Sequence, residues 1–297
     1  MVAPGILLVD KPGGLTSHDV VARTRRAFGT RKVGHAGTLD PMATGLLVIG
    51  IEGATRLLTY IVGASKTYRA TIRLGQATTT DDAEGEITVR ASADAVDALT
   101  SAQVADATVA LTGDISQVPS TVSAIKVDGR RAYDRVRAGE QVELKARDVT
   151  VSRFEIVSER RGEGVLDLDV VVDCSSGTYI RALARDLGES LSVGGHLTML
   201  RRTRVGPFDA SDAVSLDDLD GAPLLTPADA AARVLQRIDV SADDARDLRH
   251  GKRLPDRAAV LQGALAAAVD PDGALIGVVE RRGRDLKSAM NMPEEHR

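Results

Sequence analysis

From Thr16 to Phe28, the apolar residues Val20, Val21, Ala27 and Phe28 fall on one face of a 3.6-residue period. Thr16 or Ser17 can cap that segment, Asp19 suits its first turn and Gly29 ends it, so the pattern predicts a helix. Leu46 to Ile51 is a short apolar run that predicts a buried strand, followed by a helix from about Ala54 to Val62. Tyr68, Ala70, Ile72 and Leu74 then alternate with polar residues, the period of a strand. A helix is expected over Ala93 to Leu111 and another over Tyr179 to Leu191, with strands at Val149 to Val157, Val165 to Cys174 and Leu197 to Val205. Strands and helices mix without a regular βαβ alternation, which favours an α+β fold with a mixed, largely antiparallel sheet.

After Phe208 the composition changes. An acidic, proline-punctuated stretch leads into a helix at about Pro227 to Gln236, a short helix at Ala242 to Arg249, and strands at about Ala258 to Val269 and Leu275 to Glu280 joined by the turn Asp270 to Gly273. The expected organisation is a large domain over residues 1–232 and a small β-rich domain over 233–297.

With 297 residues, 43% hydrophobic and 27% charged, the chain has a globular composition. Its longest apolar runs, such as Leu46 to Ile51 and Ala264 to Val269, are far shorter than the roughly 20 residues of a membrane helix. Met1 to Gly5 lacks the charged-then-apolar order of a signal peptide, and a cytoplasmic location is expected. Cys174, the single cysteine, fits a small buried hydrophobe better than a nucleophile.

A net charge of −4 argues weakly against a nucleic-acid partner, but the charges are unevenly spread. Five basic residues and no acid lie between Asp19 and Asp40; seven basic and four acidic residues lie from Lys126 to Arg147; and Arg201, Arg202 and Arg204 form a third cluster. Each run alone fits a solvated face. Three separate runs point to an anionic ligand.

Asp40 stands out against that background, as the one carboxylate between Asp19 and Glu52. It sits in Gly34-His35-Ala36-Gly37-Thr38-Leu39-Asp40-Pro41-Met42-Ala43-Thr44-Gly45, where the glycines permit tight turns and Pro41 restricts Asp40 to an extended backbone. A helix N-cap at Asp40 with Pro41 in the first turn fits the same pattern. A lone carboxylate beside a polyanion site repels its ligand unless it has a chemical role. Aromatic residues are sparse, with no Trp, three Phe and four Tyr, so the placing of Tyr68 and Tyr179 beside arginines is informative. Both suit stacking on an unpaired base, and both also suit a strand or helix core.

Five ordered segments, Lys11 to Ser17, Gly34 to Gly45, Lys66 to Gly75, Ser176 to Arg181 with Asp186-Leu187-Gly188, and Leu200-Arg201-Arg202, resemble the TruB family of pseudouridine synthases over residues 5 to 208. The resemblance implies an α+β catalytic domain that isomerises uridine 55 in the T-loop of tRNA to pseudouridine after flipping it out of its stack. It implies that Asp40 is the catalytic aspartate, Arg181 the arginine paired with it, and Tyr68 the tyrosine stacked on the target uracil. By the same resemblance Tyr179 and Leu200 line the substrate pocket, His35 contacts the RNA around the extruded nucleotide, and Lys11-Pro12 is mainly structural. Residues 123–145 resemble an inserted loop that closes over the T-arm. The basic runs are then assigned to the RNA backbone, with Arg130, Arg131, Arg201 and Arg202 as contacts. Family members often carry a C-terminal PUA domain, and residues 233–297 are expected to be PUA-like.

No metal or other cofactor is expected, since the five histidines show no paired-ligand spacing and no phosphate-binding glycine loop is present. The expected partner is tRNA alone, with the enzyme a monomer and no membrane involved. A non-catalytic tRNA-binding or tRNA-folding module on the same scaffold is the alternative, and the joint presence of Asp40, Tyr68 and Arg181 speaks against it.

Overall fold

Thr16 starts the first helix, Ser17–Ala27, through a reciprocal cap: its hydroxyl accepts from Asp19 N at 3.1 Å, and the Asp19 carboxylate accepts from Thr16 N at 2.8 Å. The apolar face of this helix, Val20 and Val21, packs in a cluster with Leu7, Val9, Val33, Leu47, Ile49 and Ile51. Those residues come from three strands. Gly5–Lys11 pairs antiparallel with Thr44–Ile51 over its whole length, and Val33–His35 pairs antiparallel with the same strand. The short strand Val214–Ser215 adds to Gly5–Lys11 in parallel.

The computed structural model describes residues 2–120 and 144–293, together with the backbone of 126–127 and 130–131. By contacts the chain forms two units, Met1–Pro41 with Gly45–Gly63 and Val205–Arg297, and Met42–Thr44 with Ala64–Arg204. The first unit holds, besides the elements above, a four-stranded sheet in the order Gln236–Asp239, Leu265–Val269, Leu275–Arg282, Asp285–Asn291. Its core includes Ile238, Leu248, Leu254, Ala266, Ile276 and Leu286. The strand expected from Ala258 starts later, at Leu265, after a 3-10 turn at Ala258–Val260 and a bend that includes Gly263.

In the second unit the sheet runs Gly195–Val205, Lys66–Leu74, Val165–Cys174, Arg147–Gly162, Gly113–Gln117. From Lys66–Leu74 onward its neighbours are antiparallel, and Tyr68 faces Val172 across the ladder. The helix expected over Ala93 to Leu111 is two, Ala93–Asp97 and Ser101–Ala110, because Thr100 and Gln103 form a capping box that begins a new helix. The helix expected over Ala54 to Val62 is a 3-10 segment, Glu52–Leu57, followed by one α turn, Leu58–Ile61. Among the described residues no helix is long and apolar enough to cross a membrane.

Helix Ile180–Ser190 buries Ile180, Ala182, Leu183, Ala184 and Leu187. It lies so close to the start of strand Gly195–Val205 that a Cβ on Gly188 would stand 2.1 Å from Gly195 N and 2.2 Å from Gly194 C. Both sides of that contact are backbone and cannot give way cheaply. Gly188→Ala is therefore expected to destabilise the protein by about 1–3 kcal/mol, read as a Tm drop of about 2–12 °C in a chain of this size. Gly63→Ala, where an added Cβ meets nothing within 4 Å, is the control and should change Tm little. A wild-type Tm for Gly188→Ala would mean that the helix can move off the strand.

Candidate active site

Asp40 lies in a turn whose two flanks are both tied down. On one side, the buried Ser17 hydroxyl accepts from Leu39 N at 2.8 Å and donates to Leu39 O at 3.1 Å. On the other, Pro41 O accepts from Gly14 N at 2.8 Å and from the Lys11 ammonium at 3.1 Å. That ammonium has no exposed surface, and its other bonds go to Leu15 O at 2.6 Å and Pro12 O at 3.0 Å. The turn enters and leaves through glycines in the left-handed region, Gly37 at φ +94° and Gly45 at φ +99°, which a side chain rarely adopts.

No helix follows Pro41. The chain passes through a bend into the strand Thr44–Ile51, so the helix-cap reading of Asp40 fails. Asp40 as a residue is half-buried. His35, in the strand before the turn, is half-buried and packs edge to face with His18 at 5.7 Å between ring centroids. His18 is exposed on helix Ser17–Ala27, as are Arg23, Arg25 and Arg26 of the same helix.

The second unit holds the other expected site residues. Arg181, in the first turn of helix Ile180–Ser190, is 4% exposed. One of its guanidinium nitrogens donates to Thr80 O at 3.0 Å and to the Asp82 carboxylate at 3.2 Å. Asp82, 2% exposed, also accepts from the Thr80 hydroxyl at 2.5 Å and from Glu84 N at 3.1 Å. In the sequence Asp82 is marked only as one of two adjacent aspartates in an acidic stretch, which does not single it out. The neighbouring Asp81 takes a left-handed φ of +60° and pairs with Arg185 at 3.4 Å, and its burial pushes its carboxyl up. Leu197 N donates to Asp81 O at 3.0 Å and so ties this turn to the sheet.

Tyr68 is 7% exposed on the buried face of Lys66–Leu74, Leu200 is 5% exposed on Gly195–Val205, and Tyr179, just before the Arg181 helix, is half-buried. Lys66 shares the face of Tyr68 two residues away; burial, and next the nearby Arg202, push its ammonium down to about 8. Cys174, opposite Lys66 in the ladder, is buried and its thiol is pushed up to about 11, as suits an inert core residue.

Arg202 is 1% exposed, which corrects its assignment to the RNA backbone: a guanidinium packed inside the sheet does not reach a phosphate in this conformation. Arg201 remains partly exposed. The loop expected at 123–145 falls largely outside the described residues. Within it, Lys126–Val127 and Arg130–Arg131 pair antiparallel, and the side chains of Arg130 and Arg131 lie outside the described part.

A family profile described as the TruB family pseudouridylate synthase N-terminal domain matches residues 25–180. Two further profiles, a tRNA pseudouridylate synthase B C-terminal domain and a tRNA pseudouridine synthase II C-terminal domain, match residues 181–243 and 235–293. The tRNA pseudouridine synthase B of Leifsonia xyli subsp. xyli is 58% identical, covering 99% of this chain and 98% of that protein. That of Mycobacterium ulcerans is 56% identical, with coverages of 97% and 94%. Among solved structures, a chain of a Cbf5-Nop10-Gar1 complex aligns with TM-score 0.72 at 25% identity, over 98% of this chain and 84% of that one. A chain of an H/ACA RNP bound to a substrate RNA containing 2′-deoxyuridine aligns with TM-score 0.72 at 23% identity, over 98% and 86%. These likenesses bear out the α+β fold with a small, PUA-like C-terminal sheet.

Lys11→Met keeps most of the side-chain volume but leaves the Pro12, Leu15 and Pro41 carbonyls without their charged donor. The expected cost is about 2–3 kcal/mol of stability, measured by denaturant unfolding. A loss within error of zero would mean that water replaces the ammonium and that the Asp40 turn does not depend on it.

Proposed function

The chain belongs to the TruB family of pseudouridylate synthases and is an enzyme that isomerises uridine to pseudouridine in tRNA, and from that premise we propose that its target is uridine 55 of the T-arm and that Asp40 carries the chemistry. The observation that carries this reading is the Asp40 turn: a half-buried aspartate whose backbone on both sides is pinned by buried groups. An enzyme needs its reacting group held in one geometry while the substrate moves.

The reaction breaks the bond between N1 of uracil and C1′ of the ribose, turns the base within its pocket and joins C5 to C1′. C5 gives up its hydrogen and N1 gains one, so the composition is unchanged and no oxidant or water is consumed. A carboxylate serves this either as a nucleophile toward the sugar or base, or as a base toward the ribose 2′-hydrogen. Both routes need Asp40 ionised. Arg181 is assigned to pair with it and keep it so, and the Asp82 and Thr80 contacts hold that arginine in place. Tyr68 stacks on the uracil and retains it between bond breaking and bond making, with Tyr179 and Leu200 completing the pocket and His35 against the RNA beside the extruded nucleotide. Flipping the base out costs a few kcal/mol, offset by stacking and phosphate contacts.

For those contacts the exposed arginines of helix Ser17–Ala27, with Arg130, Arg131 and Arg201, are the candidates. The catalytic part is assigned to residues 1–232 and the small domain to 233–297, a division supported by the profile match beginning at residue 235. The enzyme works as a monomer in the cytoplasm, with no metal or cofactor and tRNA as its partner.

Asp40→Asn keeps the size and removes the charge. Turnover should be lost while the Kd for tRNA stays within a few-fold of wild type; turnover within tenfold of wild type would refute the assignment. At Tyr68 the ring matters more than the hydroxyl. Tyr68→Phe should keep most activity, whereas Tyr68→Ala should lose about 1–3 kcal/mol of stacking and most of the turnover. Wild-type rates in both would reduce the tyrosine to a packing residue.

A further inference from the structure

Tyr179 is the N-cap residue of helix Ile180–Ser190, and its own side chain does not cap the helix. Its backbone is held instead from a strand 62 residues earlier in the chain. The Gln117 carboxamide accepts from Tyr179 N at 2.8 Å and donates to Tyr179 O at 3.0 Å. Both polar ends of one side chain therefore close on both polar groups of one residue. Gln117 is 2% exposed and is itself fixed as the last residue of Gly113–Gln117, in register with Arg147. The next residue of the same strand end holds the helix a second time, since Val118 O accepts from the Arg185 guanidinium at 2.8 Å. Tyr179 O also accepts from Leu183 N at 3.2 Å, so the contact from Gln117 is added to the first bond of the helix.

Hydrogen bonds from a distant strand do more than saturate a helix end. They fix where the residue stands and which way its ring is carried. Stability alone could be met by a serine, threonine or aspartate cap within the local chain. A carboxamide, by contrast, grips one residue's N–H and C=O together with a single neutral group. We propose that Gln117 is a positioning residue for the isomerisation: it sets the backbone of Tyr179, and with it the ring of Tyr179 and the first turn that carries Arg181. The proposal rests on the assignment of Tyr179 to the substrate pocket. Gln117 touches no substrate; it acts through Tyr179.

The test is a double-mutant cycle on single-turnover pseudouridine formation at saturating tRNA, using the full chain. Gln117→Met keeps the length of the side chain and removes both hydrogen bonds. It should slow the rate constant by about 10- to 100-fold, with the Kd for tRNA within about twofold of wild type. Tyr179→Ala should also be slow, and adding Gln117→Met to it should cost clearly less than Gln117→Met costs alone, because the ring that Gln117 places is gone and only the placing of the backbone and of Arg181 is left to lose.

Full additivity of the two losses, or a wild-type rate for Gln117→Met, would overturn the proposal. A wild-type rate for Tyr179→Ala would instead sink the pocket assignment, and the proposal with it. Gln117→Glu covers the case in which the methionine variant fails to fold. A neutral carboxyl accepts and donates as the amide does, while an ionised one only accepts. Its rate relative to wild type should therefore be highest at low pH and fall as the introduced carboxyl ionises. A ratio that is independent of pH would count against the role of the donated bond.

Discussion

A lysine ammonium with no exposed surface organises the part of the chain that carries Asp40. An ammonium has three donors, and Lys11 places them on Pro12, Leu15 and Pro41 carbonyls, so the charge is tolerated because each donor has a partner. The consequence is geometric. One atom joins the end of strand Gly5–Lys11, the approach to helix Ser17–Ala27 and the residue after Asp40. Ser17 repeats the device on the other side, gripping the residue before Asp40 from the first position of the same helix. The strand, the helix and the turn are thus set by one local network, within which Asp40 is half-buried.

The second unit solves a related problem with a different interaction. Arg181 is buried, and a buried ion pair is weak evidence for stability because desolvation offsets much of its attraction. The arrangement around it reads better as orientation: Asp82 and Thr80 O take one nitrogen of the guanidinium, and Asp82 is in turn gripped by the Thr80 hydroxyl and Glu84 N. The turn that supplies these groups includes Asp81 in a left-handed conformation, a cost that is met by its pairing with Arg185 and by the bond from Leu197 N. Strain held by surrounding contacts is a feature of functional sites.

Much of this was legible in the sequence where a residue type has a single strong local reason. The Thr16 cap, the alternation from Tyr68 to Leu74 and the apolar run before Ile51 became the elements that they suggested. The motif around Asp40 drew attention to the right turn, but the sequence alone left open a helix cap, which the strand after Ala43 excludes. What stayed hidden depends on contacts between distant positions. Nothing local marks Asp82 as the partner of Arg181 99 positions away, or Gln117 as the clamp on Tyr179. Arg202 misled for the same reason, because a run of arginines reads as a surface whereas alternation along a strand turns one of them inward. Thr100 broke an expected helix through a capping box whose residues also suit a helix interior.

The most direct test of the whole account is to incubate the protein with an unmodified tRNA transcript and map pseudouridine at nucleotide resolution. The expected result is a single new pseudouridine, at position 55 in the T-loop, and none when that uridine is replaced by cytidine. Pseudouridine at another position instead, or none in a transcript that the protein binds, would contradict it.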